Sequence, residues 1–268
     1  MLTISENDFV RLTDFIIQNY GINLKQKKVL IEGRLSNYIT SLGYPSFTEY
    51  VDYIISSKKA SDIEMLLNKV TTNHTYFMRE EAHFAFFNDT ILPYIEKTCT
   101  SKSIGIWSAG CSSGEEPYTL SIIMKEYFKG KPGWDTRLLA TDISQNALGK
   151  ATTGFYKEDS IKAMPPQWIS TYFTKKDDGY QVTPDLRKNV IFKTFNLMDP
   201  IKWKMKFDVI FCRNVMIYFD KPTKNALVNR YYDALNPGGY LLIGHSETID
   251  KNDSKFEYIM PATYRKPL

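Results

Sequence analysis

The sequence is poor in cysteine and has no long apolar run. It contains 3 cysteines in 268 residues, Cys99, Cys111 and Cys212, and no CxxC pair. An odd number of scattered cysteines argues against a disulfide framework and favours a reducing compartment. The N-terminus lacks the apolar centre of a signal peptide, and no stretch approaches the roughly 18 apolar residues of a membrane span. These absences predict a cytoplasmic protein with no direct membrane insertion.

A large excess of one charge is absent too. Lys and Arg number 34 against 30 Asp and Glu, a net charge of +4, and 43% of the residues are apolar. This is the composition of a globular chain long enough to bury a substantial core. The mild basicity allows an acidic partner. No dense basic stripe with interleaved aromatic residues is present, so we predict no nucleic-acid partner.

The first 97 residues have the apolar spacing of helices. Ser5, Ser46 and Ser61 each precede such a run, and the last two are followed three residues later by Glu, a pattern that predicts helix N-caps. A polar stretch at 97–103 then predicts a joint. We therefore expect an N-terminal helical domain and linker helix over 1–97, and a second domain over 98–268.

From residue 103 onward, strands alternate with helices. The predicted strands are 103–109, 136–141, 189–195, 207–212 and 240–244, with a closing antiparallel pair near 256–259 and 263–266. This alternation predicts an α/β fold with a doubly wound, mostly parallel sheet, whose ligand lies beyond the carboxyl ends of the strands. An Asp-Gly turn within 172–193 predicts a small antiparallel β insertion.

The turn after the first strand, 110–114, is rich in glycine but does not follow the dinucleotide spacing G-x-G-x-x-G. Glu115 and Glu116 follow it directly. A carboxylate there would repel phosphate and suits an amino-bearing ligand. The alternative is an acidic first turn that favours the helix dipole.

Asp142 stands at the end of the second strand. An acid at this place accepts hydrogen bonds from ribose hydroxyls in nucleotide-binding sheets, although Asp is also a good helix N-cap. We favour the ribose role. A ribose ligand without a phosphate-binding loop indicates S-adenosylmethionine.

Arg213, Asn214 and Tyr218 follow the fourth strand, where a reaction centre belongs. We expect the arginine charge to meet water or a ligand, because an unpaired buried charge is costly. A polar cap on the strand is the alternative interpretation.

The three histidines, His74, His83 and His245, lack metal-ligand spacing. We therefore predict core or surface roles for them and no metal site.

Five segments together resemble a known family. They are TTNHTYFMRE, WSAGCSSGEEPYTL, ATDIS, FCRNVMIYFD and LNPGGYLLIGHSE. In these segments, and over nearly the whole length, the chain resembles the CheR-type chemotaxis receptor methyltransferases. The resemblance implies a class I methyltransferase sheet with a helical domain before it and a β insertion. It also implies a protein-glutamate O-methyltransferase that uses S-adenosyl-L-methionine, yields S-adenosyl-L-homocysteine, and methylates glutamates on the cytoplasmic helices of chemoreceptors.

The resemblance further implies roles for individual residues. Those expected to bind the cofactor are Asn73, Thr75, Arg79, Glu115, Asp142, Asn196, Leu197, Arg213 and Asn214. Arg79 and Tyr218 are expected to be catalytic and to orient the substrate carboxylate. A glutamate with a pKa of about 4.3 is ionised at neutral pH and needs no general base. We therefore expect in-line attack on the methyl group, with catalysis by positioning and desolvation.

Docking is a separate expectation. Lys25, Lys27, Lys28 and Arg34 outnumber the single acid Glu32, so this face is a candidate for steering an acidic receptor helix, although a solvated helix face is the alternative. In some relatives the β insertion also binds a receptor C-terminal peptide by strand addition. The residues of 172–193 leave that function open.

Three rival functions have less support. A nucleic-acid methyltransferase that acts on base amino groups would have Asn/Asp-Pro-Pro-aromatic after the fourth strand, where this chain has Cys-Arg-Asn-Val. A non-catalytic cofactor sensor would not need Arg79 and Tyr218. A NAD-dependent enzyme is disfavoured by the glycine spacing.

Overall fold

The computed structural model describes residues 2–71 and 74–268. Asn73, which we expect to bind the cofactor, lies outside the described residues. The chain divides into two compact units. The helical unit runs to His74 and includes Tyr218–Lys224, and the sheet unit comprises Thr75–Ile217 and Asn225–Leu268. The domain division at residues 97 and 98 stays a prediction.

The helical unit contains four helices ahead of its last segment. They are α1 (Glu6–Tyr20), α2 (Lys28–Ser41), α3 (Phe47–Ser57) and α4 (Ala60–Val70). The side chain of Ser5 accepts a hydrogen bond from the Asp8 amide, and that of Ser46 accepts one from the Glu49 amide. Both hydroxyls satisfy amides that have no partner within the helix, so these two predicted N-caps are confirmed.

The third predicted N-cap is wrong. Helix α4 begins at Ala60, with Lys59 at the N-cap position and no side-chain cap. Ser61 therefore lies inside the helix, and its hydroxyl contacts the neighbouring Asp62 carboxylate instead. Burial of Ile63, Leu66 and other apolar residues stabilises this helix without the cap.

The sheet unit follows the predicted alternation. Its helices are α5 (Glu81–Phe86), α6 (Leu92–Thr98), α7 (Glu115–Tyr127), α8 (Gln145–Thr153), α9 (Glu158–Ile161), α10 (Pro166–Tyr172), α11 (Pro184–Lys188) and α12 (Lys221–Ala234), the last of which begins in the helical unit. Its strands are β1 (Ile106–Ala109), β2 (Leu138–Asp142), β3 (Phe155–Tyr156), β4 (Phe173–Lys176), β5 (Gly179–Val182), β6 (Val190–Thr194), β7 (Phe207–Cys212), β8 (Leu235–Ile243), β9 (Glu257–Met260) and β10 (Thr263–Arg265).

Seven of these strands form one sheet in the order β6-β2-β1-β7-β8-β10-β9. The first five run parallel, and β10 pairs antiparallel with β8 and β9. The predicted α/β fold with a mostly parallel sheet is thus confirmed. The sheet core is rich in rings, and Trp107 packs between Phe207 and Tyr231.

A second, three-stranded antiparallel sheet has the order β3-β5-β4. Its hairpin turns at Asp177-Asp178, and Gly179 begins β5 opposite Lys176, so the hairpin predicted around the Asp-Gly pair is confirmed. The sheet also takes in β3, which lies before the segment 172–193, whereas β6 at the end of that segment belongs to the large sheet. In the sheet unit, a π-helical turn, Phe87–Ile91, lies between α5 and α6.

Among the described helices, not one has both the length and the apolar character that a bilayer span requires.

Candidate active site

The candidate site lies at one edge of the large sheet. Strands β2, β1 and β7 are parallel neighbours, so their carboxyl ends lie side by side. The loop 110–114 follows β1, Asp142 ends β2, and Arg213 follows β7. The sequence-predicted residues on these three strands therefore share one edge, where ligands bind in open α/β sheets.

The loop 110–114 is tied to β2 through its backbone. The amides of Gly110 and Cys111 both donate to the Thr141 carbonyl, at 2.8 and 2.9 Å. Gly110 has φ +81°, and a β carbon there would overlap the Val215 side chain. Glycine at this position lets the loop lie directly against the segment that follows β7.

Asp142 is oriented by two backbone amides. One carboxylate oxygen accepts from the Ser112 amide at 2.8 Å and the other from the Ser144 amide at 2.9 Å. The N-cap of α8 is Ser144, whose hydroxyl accepts from the Ala147 amide. The N-cap interpretation of Asp142 is therefore wrong. Each carboxylate oxygen has two lone pairs, so the fixed group is suited to accept from ribose hydroxyls.

Glu115 is a buried acid at the first residue of α7, only 4% exposed. The Ser113 hydroxyl lies 3.0 and 2.8 Å from its two carboxylate oxygens. Burial raises the pKa of this carboxyl, and the Ser113 hydrogen bond and the Lys150 charge only partly offset the effect. A cationic ligand group beside it would favour the ionised form. The predicted role of Glu115 at the cofactor remains a prediction.

Arg213 is buried, and its charge is paired. Its guanidinium contacts Glu116 at 3.1 Å and Glu80 at 3.2 Å, donates to the Arg79 carbonyl, and lies 5.0 Å from the centre of the Phe84 ring. The charge is therefore not left unpaired by the protein, and the predicted contact of Arg213 with the cofactor remains a prediction. The pairing joins the exit of β7 to α7 and to the segment before α5.

Glu80 is the centre of this network, and sequence reasoning missed it. One of its oxygens accepts from the Asn214 side-chain amide at 3.1 Å, and the other accepts from the His245 backbone amide at 3.3 Å as well as from Arg213. Burial by itself raises the pKa of the Glu80 carboxyl, but the Arg213 charge and these hydrogen bonds bring it below its usual value. The sequence feature that could have identified Glu80 is its position directly after Arg79, at the end of the family-like segment TTNHTYFMRE.

Glu247 is a second buried acid that the sequence analysis did not select. Its carboxylate accepts from three backbone amides, those of Asn214 at 3.0 Å, Ile217 at 2.9 Å and Gly244 at 2.6 Å. Burial raises the pKa of Glu247, and the amides oppose that rise. The group holds Asn214 in a left-handed conformation, φ +60°, immediately after β7.

The segment that carries Thr75 and Arg79 is anchored by an aromatic residue. Phe77 is fully buried, with ring centres 4.8 Å from Tyr156 and 5.6 Å from Phe173 of the small sheet. Thr75 and Arg79 are half-buried on either side of it. The Tyr156 hydroxyl also donates to the carbonyl of Ser113, so one ring supports both this segment and the loop after β1.

Asn196 and Leu197 follow β6, which pairs with β2. The Phe195 amide donates to the Asp142 carbonyl at 3.0 Å, which puts these residues beside the end of β2. The Leu197 carbonyl accepts from Arg230 at 2.5 Å. Their predicted position at the adenine remains a prediction.

Tyr218 belongs to the helical unit. Its carbonyl accepts from the Asn23 amide at 2.7 Å, and the next residue, Phe219, forms a β-bridge with Ile22. These contacts fix its backbone within that unit. Its catalytic role remains a prediction.

A mostly parallel sheet, with a buried acid directly after the loop that follows β1 and a backbone-held acid at the end of β2, is the architecture expected of a class I methyltransferase. Comparison with known families agrees. Residues 73–265 match the CheR methyltransferase SAM binding domain, and residues 7–71 match the CheR methyltransferase all-alpha domain. The chain belongs to the CheR methyltransferase family, and its cofactor is S-adenosylmethionine.

Relatives match along nearly their whole length. The chain is similar to the chemotaxis protein methyltransferase of Borreliella burgdorferi, with 46% identity over 99% of this chain and 96% of the relative. It is also similar to chemotaxis protein methyltransferase 2 of Vibrio cholerae, with 34% identity over 95% and 90%. The Escherichia coli chemotaxis protein methyltransferase has 32% identity over 95% and 89%.

Proposed function

We propose that this protein methylates glutamate side chains on the cytoplasmic helices of chemoreceptors and forms glutamyl methyl esters in chemotaxis. The proposal is supported by the names of relatives at up to 46% identity. The single structural observation that carries it is the arrangement around Arg79. Arg213 donates to the Arg79 carbonyl, and two buried acids hold Arg213 in place.

When bound, S-adenosylmethionine supplies a methyl group that carries the positive charge of a sulfonium. The chain then has to bring a carboxylate to that group and exclude water. Arg79 is half-buried in the family-like segment, and its backbone carbonyl accepts a hydrogen bond from Arg213. We assign Arg79 to orienting the substrate carboxylate. Tyr218 is assigned to the same task on the strength of its motif.

The proposed cofactor contacts follow the same edge of the sheet. Glu115 would take the amino group and Asp142 the ribose hydroxyls, while Asn196 and Leu197 would border the adenine. Asn214 and Arg213 would close the site through backbone geometry set by Glu247 and Glu80. Thr75, and Asn73 in the same segment, complete the proposed set.

The basic face of the helical unit is a further part of the proposal. Lys25 lies 2.9 Å from Asp14, and Lys28 lies 2.7 Å from Glu6. Arg34 donates to the Thr71 carbonyl at 2.9 Å. The lysine pairs are exposed and therefore weak, so they can exchange for acidic partners on a receptor helix. Lys27 is exposed on the same stretch.

The test uses tritiated S-adenosylmethionine and membranes that contain chemoreceptors. We expect base-labile label on the receptor band, as a carboxyl ester requires. Arg79→Ala should lower the initial rate by about tenfold or more, equivalent to about 1.4 kcal/mol of transition-state stabilisation, while circular dichroism stays unchanged.

Arg137→Ala is the matched control, because Arg137 is an exposed arginine that pairs with Asp135. It should transfer label at the wild-type rate. Base-stable label, label on DNA or RNA instead of the receptor, or full activity of Arg79→Ala would each contradict the assignment.

A further inference from the structure

We propose that Glu80, His83 and His245 form a binding site for a divalent transition metal of the zinc class. Each of the three offers one ligand atom, and these atoms all lie within 4.8 Å of one another. Two histidines and one carboxylate are a ligand set that binds Zn²⁺ and leaves a fourth position open. The sequence did not predict this site because the two histidines are far apart along the chain. The fold brings α5, which carries His83, close to the segment after β8, which carries His245.

The second observation is that the imidazole of His83 is buried without hydrogen-bond partners among the described residues. Its side chain is fully buried, and neither ring nitrogen has a hydrogen-bond partner of normal geometry among the described residues. Nδ1 faces Glu80 Oε2 at 3.5 Å, which is long for a hydrogen bond. A buried polar group without a partner costs free energy. Coordination to a metal would remove that cost.

The geometry requires one adjustment. Ligands at about 2.1 Å from a tetrahedral zinc are about 3.4 Å apart, so the 4.8 Å span must contract. His245 can supply this motion because it is exposed, and its ring centre is already 4.6 Å from that of His83. Glu80 and His83 are held by packing and stay in place.

Charge around the cluster is the main constraint on affinity. Arg213 shares Glu80 Oε2 at 3.2 Å and repels a cation, but it also pairs with Glu116 at 3.1 Å. A divalent ion would therefore have to compete with Arg213 for Glu80 Oε2.

The experiment is titration of the untagged full chain with Co²⁺, whose visible absorption intensifies in tetrahedral sites, followed by displacement with Zn²⁺. The background is Cys99→Ser, because Cys99 is a half-exposed thiol that also binds such metals. We expect one equivalent of Co²⁺ to give the tetrahedral spectrum. His245→Ala should lose that spectrum and weaken binding about tenfold or more, which is about 1.4 kcal/mol.

His74→Ala is the matched control, since it removes a histidine outside the cluster and should keep the spectrum. His83→Asn, checked by circular dichroism, should lose it. No saturable spectrum in the wild type, or an unchanged spectrum in His245→Ala, overturns the proposal. The titration contains neither receptor nor methyl donor, so its outcome is independent of the proposed substrate.

Discussion

At the scale of single residues, buried carboxylates with different partners determine the site. Glu80 is paired with Arg213 and has a lowered pKa, whereas Glu115 relies on a hydroxyl and has a raised pKa. Glu80 therefore stabilises the folded structure through its ion pair. Glu115 would instead ionise when a cationic ligand binds beside it. Both properties follow from the balance between burial and nearby charge.

Replacing Glu80 by Gln should uncouple Arg213 from the segment that carries Arg79. We expect the free energy of unfolding to fall by about 1–3 kcal/mol at neutral pH, because a buried charge pair loses one partner. The pKa of Glu80 is lowered in the folded state, so its stabilisation is present above the unfolded pKa and is lost as pH falls through the folded pKa. Urea unfolding at neutral and acidic pH measures this difference.

Glu81→Gln is the control for that experiment, since Glu81 is the exposed neighbour on the first turn of α5. It should unfold like the wild type. A Glu80→Gln deficit that persisted undiminished at pH values below the folded pKa would show that the charge is irrelevant. A positioning role also predicts a larger fall in kcat than in cofactor affinity.

The pKa of Glu115 is shifted in the opposite direction, and it gives a prediction about ligand binding. Its pKa is raised, so part of the population is protonated in mild acid and must lose that proton to bind an ammonium group. Affinity for S-adenosylhomocysteine should therefore rise with pH through the raised pKa. Calorimetry across this range should show proton release in the wild type. Glu115→Gln should bind more weakly and without this dependence, and identical pH profiles would refute the assignment.

At the scale of elements, the strands of the large sheet were predictable because a buried parallel strand is a short, continuous apolar run. Strand β7, 207–212, matches its prediction residue for residue. The short helices α9 and α10 and strand β3 were not predicted, because segments of 2–7 residues carry too little periodicity. Helix α4 begins one residue before Ser61, which shows tertiary burial overriding a capping pattern.

The docking prediction concerns basic residues in helix α2 and in the loop before it. Reversing both Lys27 and Lys28 to Glu should slow receptor methylation several-fold at low salt, with a smaller loss at high salt, since exposed charges are screened. Initial rates at two ionic strengths measure this effect. Lys58→Glu with Lys59→Glu, the same charge change at the end of α3, is the control. Equal losses in the two double variants would argue against a specific docking face.

At the scale of the whole molecule, the cofactor site joins distant parts of the chain. Ligand binding to the folded state alone stabilises it by about 2.7 kcal/mol at 100 times Kd. S-adenosylhomocysteine should therefore raise the Tm of the wild type in a concentration-dependent way. Asp142→Ala should need at least about tenfold more ligand for the same shift, as measured by scanning calorimetry. An unchanged ligand response would remove Asp142 from the ribose site.

The sequence by itself determined the alternation of the longer strands and helices, the family-like segments, and the acids after β1 and at the end of β2, because these depend on local periodicity and contiguous motifs. Only the tertiary structure decided which charges are paired. Glu80 meets Arg213 across 133 positions and the His245 amide across 165. No local pattern encodes such contacts, since they depend on how parallel strands and their following loops converge at one edge of a sheet.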